Sequence, residues 1–171
     1  MDLSSFYEEA RKRKRHNNDS YESMIKPFEG LPDVKILLLY YGSIPVGCSI
    51  SEPFLDGYRI FVRLCVLNHL IPKQRHGTVA AFKKHQHITA RFFLKEHAKL
   101  NARLYFTTHP SDTAKMQAVH KKATKWFSEI GVIEYYSTRQ VRGSTQIVWK
   151  VNTEKWLDQM AHEPVYYENL K

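Results

Sequence analysis

Hydrophobic residues change their spacing several times along this chain, and each change predicts a new element. Two apolar runs, VKILLLYY and VGCSISEPF, flank Gly42-Ser43-Ile44-Pro45 and predict a β-hairpin. A third run, Tyr58–Leu67, is apolar enough to predict a strand that is covered on both faces. A fourth predicted strand, Ala102–Thr108, ends at His109-Pro110.

The N-terminal region and the long connections have helical spacing instead. Ser5 and Glu8 have the form of a capping box and predict a short helix to about Arg15, and a second short helix is expected at Tyr21–Ile25. Residues 78–100 are predicted to be mainly helical. The clearest helix follows a cap at Ser111 or Asp112, ends at a C-cap on Gly131, and has apolar positions at Met116, Val119, Ala123, Phe127 and Ile130.

The chain closes with a predicted hairpin and a helix. Val132–Thr138 and Thr145–Val151 are expected to pair around Arg142-Gly143-Ser144, and an amphipathic segment begins at Asn152. We therefore expect an α+β fold in a single domain. We expect residues 1–33 to form a helical N-terminal arm with a basic segment, residues 34–151 to form the core, and residues 152–171 to form a C-terminal helix and tail.

Composition narrows the class of protein. Of the 171 residues, 43% are hydrophobic and 13% are aromatic, which is typical of a folded domain. The apolar runs are too short to cross a bilayer, and the N-terminus lacks the apolar core of a signal peptide, so no membrane partner is expected. Cys48 and Cys65 lack disulfide or metal-site spacing and are interpreted as buried free thiols. Such thiols favour a cytoplasmic location, which is the host cytoplasm if the protein is viral.

Charge suggests the kind of partner. The formal charge is +9, from 26 Lys and Arg against 17 Asp and Glu, and it favours a polyanion. Nucleic acid is expected to contact a basic arm and a later basic pair, namely Arg11, Lys12, Arg13, Lys14, Arg15, Arg139 and Arg142. Tyr135, Tyr136 and Trp126 lie among further basic residues and offer rings that can stack on bases. The alternative is an ordinary solvated positive face.

A strand–turn–helix stretch from Tyr58 to Phe82 is the best candidate for a ligand site. Its turn places backbone N–H groups and a helix N-terminus beside Lys73, Gln74, Arg75 and His76, which suits a phosphate-bearing ligand. No metal site is expected, because the histidines lack recognisable ligand spacing. The P-loop and nucleophile-elbow motifs are also absent from the sequence.

This order of elements resembles the GNAT fold of acyl-CoA-dependent N-acyltransferases, across roughly Val34–Val151. In that family the central turn holds the cofactor pyrophosphate on a helix N-terminus, and a later helix carries a Tyr four residues before a Gly-Phe pair. Phe127-x-x-x-Gly131-Val132 lies at that place here, and Gly143 lies in the closing turn. The resemblance implies a mixed, mostly antiparallel central sheet flanked by helices, with acetyl-CoA or another acyl-CoA as cofactor.

The resemblance also implies which residues bind that cofactor. They are the strand positions Leu64 and Val66 and the turn residues Gln74, Arg75, His76, Gly77, Thr78 and Val79. The family turn follows the pattern Arg/Gln-x-x-Gly-x-Gly/Ala. The register that starts at Gln74 lacks the final small residue, and the register shifted by one residue lacks the first glycine. Either register implies a modified cofactor site.

Acid–base residues follow from the same resemblance. The family's helical Tyr protonates the departing thiolate, but Phe127 has no proton to give, so Tyr135, Tyr136 or a water is expected to replace it. His109, with Asp112, follows the fourth strand near the place where the family's central strands splay. Histidine is the side chain whose ordinary range of titration includes neutral pH, so His109 is the expected base for the attacking amine. The alternative for His109 is a His-Pro turn that has no catalytic part.

Three functions remain open from the sequence. The first is acyl transfer to a nucleic acid or a nucleic-acid-linked amine, as in the Mom-type phage enzymes that modify adenine in DNA. The strand that ends in Thr107-Thr108-His109-Pro110 resembles theirs loosely. The second is a nucleic-acid-binding or regulatory protein that keeps the GNAT fold without activity. The third is an acetyltransferase for a protein or a small amine.

Overall fold

Six strands form one open sheet, as seen in a computed structural model that describes residues 2–13, 20–41, 44–65, 93–110 and 124–161. The strands are β1 (Lys35–Tyr41), β2 (Ile44–Phe54), β3 (Gly57–Cys65), β4 (Arg103–Thr108), β5 (Ile133–Val141) and β6 (Ser144–Val151). Their order in the sheet is β1-β2-β3-β4-β6-β5. Neighbours pair antiparallel except β3 and β4, which are parallel. The predicted α+β class and the mixed, mostly antiparallel sheet are therefore confirmed.

Among the described residues, the helical elements are α1 (Leu3–Arg13), α2 (Tyr21–Met24), a 3-10 helix (Lys26–Phe28), the helical stretches called α3 (residues 93–98) and α4 (residues 124–129), and α5 (Thr153–Ala161). The predicted capping box at Ser5 is wrong, because α1 begins at Leu3 and Asp2 caps it, three residues before the predicted cap. The carboxylate of Asp2 accepts a hydrogen bond from the Ser5 backbone N–H at 2.7 Å. Aspartate caps a helix as well as serine does, and this bond lowers the pKa of Asp2. A capping box is present at Ser20 instead.

Two predicted boundaries in the second half can be checked. Gly131 ends α4 with φ 71°, and the N–H groups of Gly131 and Val132 donate to the carbonyls of Ser128 and Phe127, as in a Schellman motif. The predicted C-cap is therefore confirmed. The closing hairpin is longer than predicted, since β5 continues to Val141 and only Arg142 and Gly143 form the turn.

Register divides the sheet into two faces, because residues that pair across strands share a face. Glu52, Arg59 and Tyr105 pair in turn across β2, β3 and β4 and define one face, here called the charged face. The 3-10 helix packs on it, with the ring of Phe28 5.3 Å from that of Phe61. The opposite face, here called the helix face, carries the main core: Leu94, Leu104, Phe127, Val132, Ile133, Val151 and Trp156. Helices α3, α4 and α5 therefore pack on the face opposite the 3-10 helix.

Candidate functional site

The only parallel pair in the described sheet opens after three residues. Gly57, Tyr58 and Arg59 pair with Arg103, Leu104 and Tyr105, whereas β3 continues to Cys65 and β4 to Thr108. At Gly57, where the pairing begins, a Cβ atom would lie 2.0 Å from the carbonyl oxygen of Arg103. Glycine is thus required at the closed end, and the two strands separate toward their carboxyl ends. Ligand sites in mixed sheets often lie beyond the carboxyl ends of parallel strands.

A buried ion pair between β2 and β3 lies beside this opening on the charged face. Arg59 and Glu52 are only 5% and 8% exposed. The Arg59 Nε donates to Glu52 Oε1 at 2.7 Å, and Arg59 Nη2 lies 2.5 Å from the same oxygen. The Nη1 group donates to Thr107 Oγ1 at 3.1 Å, so Arg59 joins β3 to β4 beyond the last paired residues. The Arg59 guanidinium also lies 4.4 Å from the centre of the Phe61 ring, and this cation–π contact stabilises its positive charge.

A second arginine reaches the same carboxylate from the tip of the β5–β6 hairpin. Arg142 Nη2 donates to Glu52 Oε2, and Arg142 Nε lies 3.4 Å from Glu52 Oε1. The Arg142 guanidinium lies 4.1 Å from the centre of the Phe28 ring. Arg142 therefore fastens the hairpin tip to β2 and to the 3-10 helix. We call Glu52, Arg59, Arg142 and Thr107 the arginine cluster.

The arginine cluster keeps Glu52 ionised. Burial by itself would raise the pKa of Glu52, but hydrogen bonds from Arg142 and Arg59, together with their charges, outweigh it and hold the pKa below its usual value. A carboxylate with a lowered pKa is a poor general base. Glu52 is therefore suited to hold the two guanidinium groups in place and not to take a proton from a substrate.

The closed end of the opening has its own hydrogen-bond group. The Tyr105 hydroxyl donates to Asp56 Oδ1 at 2.5 Å, and Arg103 Nη1 donates to Asp56 Oδ2 at 2.6 Å. Burial, followed by the bond to Asp56, raises the pKa of Tyr105, so its phenol stays protonated. The bond from Tyr105 lowers the pKa of Asp56. The phenol of Tyr105 therefore stays protonated and the carboxylate of Asp56 stays ionised. Their hydrogen bonds join the β2–β3 turn to β4.

One buried histidine lies on the helix face. His97 in α3 is completely buried, and its Nε2 lies 2.8 Å from Ser49 Oγ, whose hydroxyl lies 3.2 Å from the Phe61 carbonyl. If that hydroxyl donates to the carbonyl, Nε2 must carry the imidazole proton. Burial, with the charge of Lys35, lowers the pKa of His97 to about 4, although Glu96 opposes this shift. His97 is therefore neutral near pH 7 and joins α3 to β2.

The predicted acid–base residues are not brought into one group. His109 follows β4 and is exposed. Tyr135 and Tyr136 are 60% and 45% exposed on β5, one on each face of the sheet. The Tyr136 ring packs 5.4 Å from that of Tyr105, and the Tyr135 ring packs 6.2 Å from that of Trp149. The Tyr105 ring that Tyr136 contacts lies four residues before His109, which is about 13 Å along an extended chain at roughly 3.3 Å per residue. Asp112 lies outside the described residues.

Most of the predicted cofactor residues also lie outside the described part of the chain. These are Val66, Gln74, Arg75, His76, Gly77, Thr78 and Val79. The backbone of Leu64 belongs to β3, in the stretch that has separated from β4. The cofactor turn therefore stays a prediction, and the described strand leads toward it.

The predicted nucleic-acid residues fall into three groups. Arg11, Lys12 and Arg13 lie at the end of α1, and Lys12 is exposed, whereas Lys14 and Arg15 lie outside the described residues. Arg139 is exposed on β5, where its Nε donates to Ser137 Oγ at 3.2 Å. Arg142 belongs to the arginine cluster. Several other cations are paired with carboxylates, including Lys26, Lys99, Arg103, Lys125 and Lys150. These pairs reduce the free positive charge of the described surface.

Phe127 is a core residue. It is 4% exposed and packs between Trp126 and Trp156, with ring centres 4.8 Å and 5.1 Å away. A side chain in this position does not reach a ligand in the opening. The position that the resemblance assigns to a general acid is therefore used for packing.

Sequence reasoning missed Glu52, Arg59 and Thr107 as members of a site. A signal was present, since Glu52 and Arg59 are the charged residues at matching distances from the turn Leu55-Asp56, and such residues pair across a two-residue loop. Charged residues at matching positions of two otherwise apolar strands are expected to form an ion pair. The contact of Arg142 with them joins residues 90 positions apart and has no comparable signal.

Other kinds of site find little support in the described residues. No helix among them is long and apolar enough to cross a membrane. Within the same ranges, no three His, Cys, Asp or Glu side chains are gathered to hold a metal ion. A hollow of about 370 Å³ lies at the opposite end of β6, beside Asn152 and the ion pair of Lys150 with Glu134. None of the predicted site residues lines it.

Comparison with known proteins adds no relative. No known protein family, no curated protein and no solved structure matches this chain.

Proposed function

We propose that this protein is an acyl-CoA-dependent N-acyltransferase of the GNAT type. The observation that supports the proposal is the opening between β3 and β4, the parallel pair that separates after Arg59 and Tyr105. The GNAT family has central strands that splay in the same way, and its acyl-CoA arm lies beside the strand that leads to the cofactor turn. Both strands adjoining the pair are antiparallel to it, as the resemblance implies.

The described part of the opening suits an extended ligand arm. Beyond Arg59, β3 has no registered pairing with β4, so its edge presents backbone donors and acceptors to an amide-bearing chain. The arginine cluster crosses the opening on the charged face through the bond of Arg59 to Thr107. An arm would therefore lie along β3 toward Leu64 and not across the Arg59 guanidinium. A bound acyl-CoA supplies an activated thioester.

Acyl transfer to an amine makes a C–N bond and breaks the C–S bond, and the amine must lose a proton that the leaving sulfur can take up. His109 is the proposed base, because it is exposed just beyond the end of β4 and histidine is the side chain most often used for proton transfer in enzymes. Tyr136 is the better placed of the two tyrosines to donate a proton, since its ring lies on the charged face against Tyr105. Asp112 is proposed to assist His109.

The proposed acceptor is an amine on a nucleic acid, as in the Mom-type branch that the sequence loosely resembles. The net charge of +9 supports a polyanionic acceptor. The exposed cations Lys12, Arg139 and Arg142 support it further, because cations that neutralise phosphates provide most of the affinity in such complexes.

The experiment incubates the full chain with acetyl-CoA and duplex DNA, measures release of the free CoA thiol, and analyses the DNA by mass spectrometry. The proposal expects thiol release that depends on DNA, with a mass increase of one acetyl group on a nucleoside. The variant His109→Ala should lower turnover far more than acetyl-CoA affinity. Equal losses in both quantities would remove His109 as the base. Modification of a small amine or of a protein, with DNA unchanged, would transfer the proposal to a different acceptor.

A second candidate is supported by Phe127. Because this position is buried between two tryptophans, a nucleic-acid-binding or regulatory protein could keep the fold without the chemistry. Such a protein would bind duplex DNA with an affinity that falls steeply with salt, and it would not bind acyl-CoA at millimolar concentration. The two candidates therefore differ in a single binding measurement.

A further inference from the structure

We infer that the tip of the β5–β6 hairpin binds a phosphate group through the guanidinium of Arg142. The first observation is the backbone conformation of the turn. Arg142 has φ 48° and Gly143 has φ 79°, so both central residues of this two-residue turn are left-handed. Such a turn favours Asn, Asp or Gly at its first position, and arginine is sterically disfavoured there. A non-glycine residue held in this region indicates a role for its side chain.

The second observation is that the Arg142 guanidinium is already ordered. Glu52 holds one of its edges through Nε and Nη2, and the Phe28 ring covers one of its faces at 4.1 Å. Within the described part of the chain, Nη1 makes no hydrogen bond, and 43% of the side chain is exposed. A ligand that binds Nη1 would not need to order a flexible side chain, so little affinity would be lost.

The third observation is the charge of the arginine cluster. Arg59 and Arg142 share the single carboxylate of Glu52, which leaves one positive charge in excess beside a nearly dry site. An anion at the exposed side of Arg142 would balance that charge. Guanidinium groups bind phosphate oxygens in a planar, two-pronged geometry. The choice of phosphate rests on the proposed function, because both a nucleic-acid acceptor and CoA carry phosphates.

Arg139 provides a matched comparison on the same hairpin. It is exposed and lies on the same face as Arg142, but its Nε donates only to Ser137 Oγ of its own strand. Among the described residues, no carboxylate or aromatic ring lies against its guanidinium. Arg139 therefore has the charge of Arg142 without its fixed geometry.

The experiment titrates three probes into the full chain: inorganic phosphate, a 5′-phosphorylated dinucleotide and unacylated CoA. Calorimetry should detect binding of at least one probe. Arg142→Gln should weaken it about tenfold or more, which is the loss of one charge-assisted hydrogen bond or two. Arg139→Gln removes a cation that lacks this fixed geometry, so it should weaken binding by a clearly smaller factor. Arg142→Lys keeps a cation beside Glu52, so it can be used if the glutamine variant does not fold. Because lysine lacks the planar, two-pronged geometry of arginine, the affinity for the probe should fall about threefold or more.

The outcomes distinguish the sources of the phosphate. Binding of the dinucleotide would identify the acceptor as the source, and binding of CoA alone would identify the cofactor. The inference is overturned if no probe binds, or if the Arg142 and Arg139 variants bind equally well. Phosphate binding that depends on Arg142 in a protein that transfers no acyl group would leave this site standing and remove only the proposed function.

Discussion

Replacing Glu52 by glutamine should destabilise this protein strongly, although the two side chains are nearly the same size. The variant Glu52→Gln keeps the size of the side chain and one carbonyl acceptor, but it leaves Arg59 without a counter-charge. The Arg59 and Glu52 side chains are only 6% and 10% exposed, so this is a buried pair. Breaking a buried pair by removing one partner costs about 3–5 kcal/mol.

The expected loss lies at the lower end of that range. The glutamine oxygen can still accept a hydrogen bond from Arg59, and Arg142 is exposed enough to be solvated when it loses its partner. We therefore expect a fall in the free energy of unfolding of about 3 kcal/mol at pH 7. For a chain of this size the melting temperature should fall by roughly 6–12 °C. Urea denaturation of both proteins, with the m-value compared, measures the loss.

Two controls make this reasoning refutable. Glu134→Gln removes an exposed pair with Lys150, at 3.1 Å, and should change stability by less than about 0.5 kcal/mol. The double variant Glu52→Gln with Arg59→Met removes both buried charges and should recover most of the loss. A loss below about 1 kcal/mol for Glu52→Gln, or a double variant less stable than that single variant, would contradict a buried pair whose partners depend on each other.

Three further predictions test the packing around the opening. Burial keeps the pKa of His97 near 4 in the folded protein, so the imidazole is protonated in the unfolded chain at a higher pH than in the folded one. The free energy of unfolding should therefore fall as the pH drops from about 6.5 toward 4, by up to about 1.4 kcal/mol per pH unit. His97→Gln should flatten that slope in urea titrations. Gly57→Ala places a Cβ atom 2.0 Å from the carbonyl oxygen of Arg103 on β4 and should lower the free energy of unfolding by about 2 kcal/mol or more. In its control, Gly143→Ala, the new Cβ meets no atom within 4 Å, so only the φ of 79° should cost stability, by about 1 kcal/mol. Phe127→Tyr introduces the residue that GNAT enzymes have at the corresponding place. It should cost about 1–3 kcal/mol by burying a hydroxyl, and thiol release should not rise; higher turnover would show that this position reaches the ligand.

Local patterns were sufficient to predict most of the described elements. The β1–β2 hairpin, the strands β3 and β4 and the glycine cap of α4 follow from apolar runs and from Gly131, which act within a few residues. The start of α1 was misplaced because Asp2 and Ser5 are both good caps, and the sequence does not say which of them accepts the first free N–H. The end of β5 was misplaced because Arg142 is an unusual residue for its turn.

The candidate site was harder to predict, because its members come together only through the sheet. The Glu52–Arg59 pair depends on the register of one hairpin, which the sequence nearly determines. Its contact with Arg142 depends on the β5–β6 hairpin reaching β2, and no local pattern encodes that distance. The burial of His97 depends likewise on how α3 packs against β2.

The proposed enzyme depends most directly on whether the chain binds acyl-CoA. Calorimetric titration of the full chain with acetyl-CoA tests this without requiring an acceptor. The proposal predicts saturable binding with one site per chain, weakened by Arg75→Ala in the predicted cofactor turn. Absence of binding at millimolar acetyl-CoA, from a protein shown to be folded, would contradict the acyltransferase and leave the nucleic-acid-binding candidate.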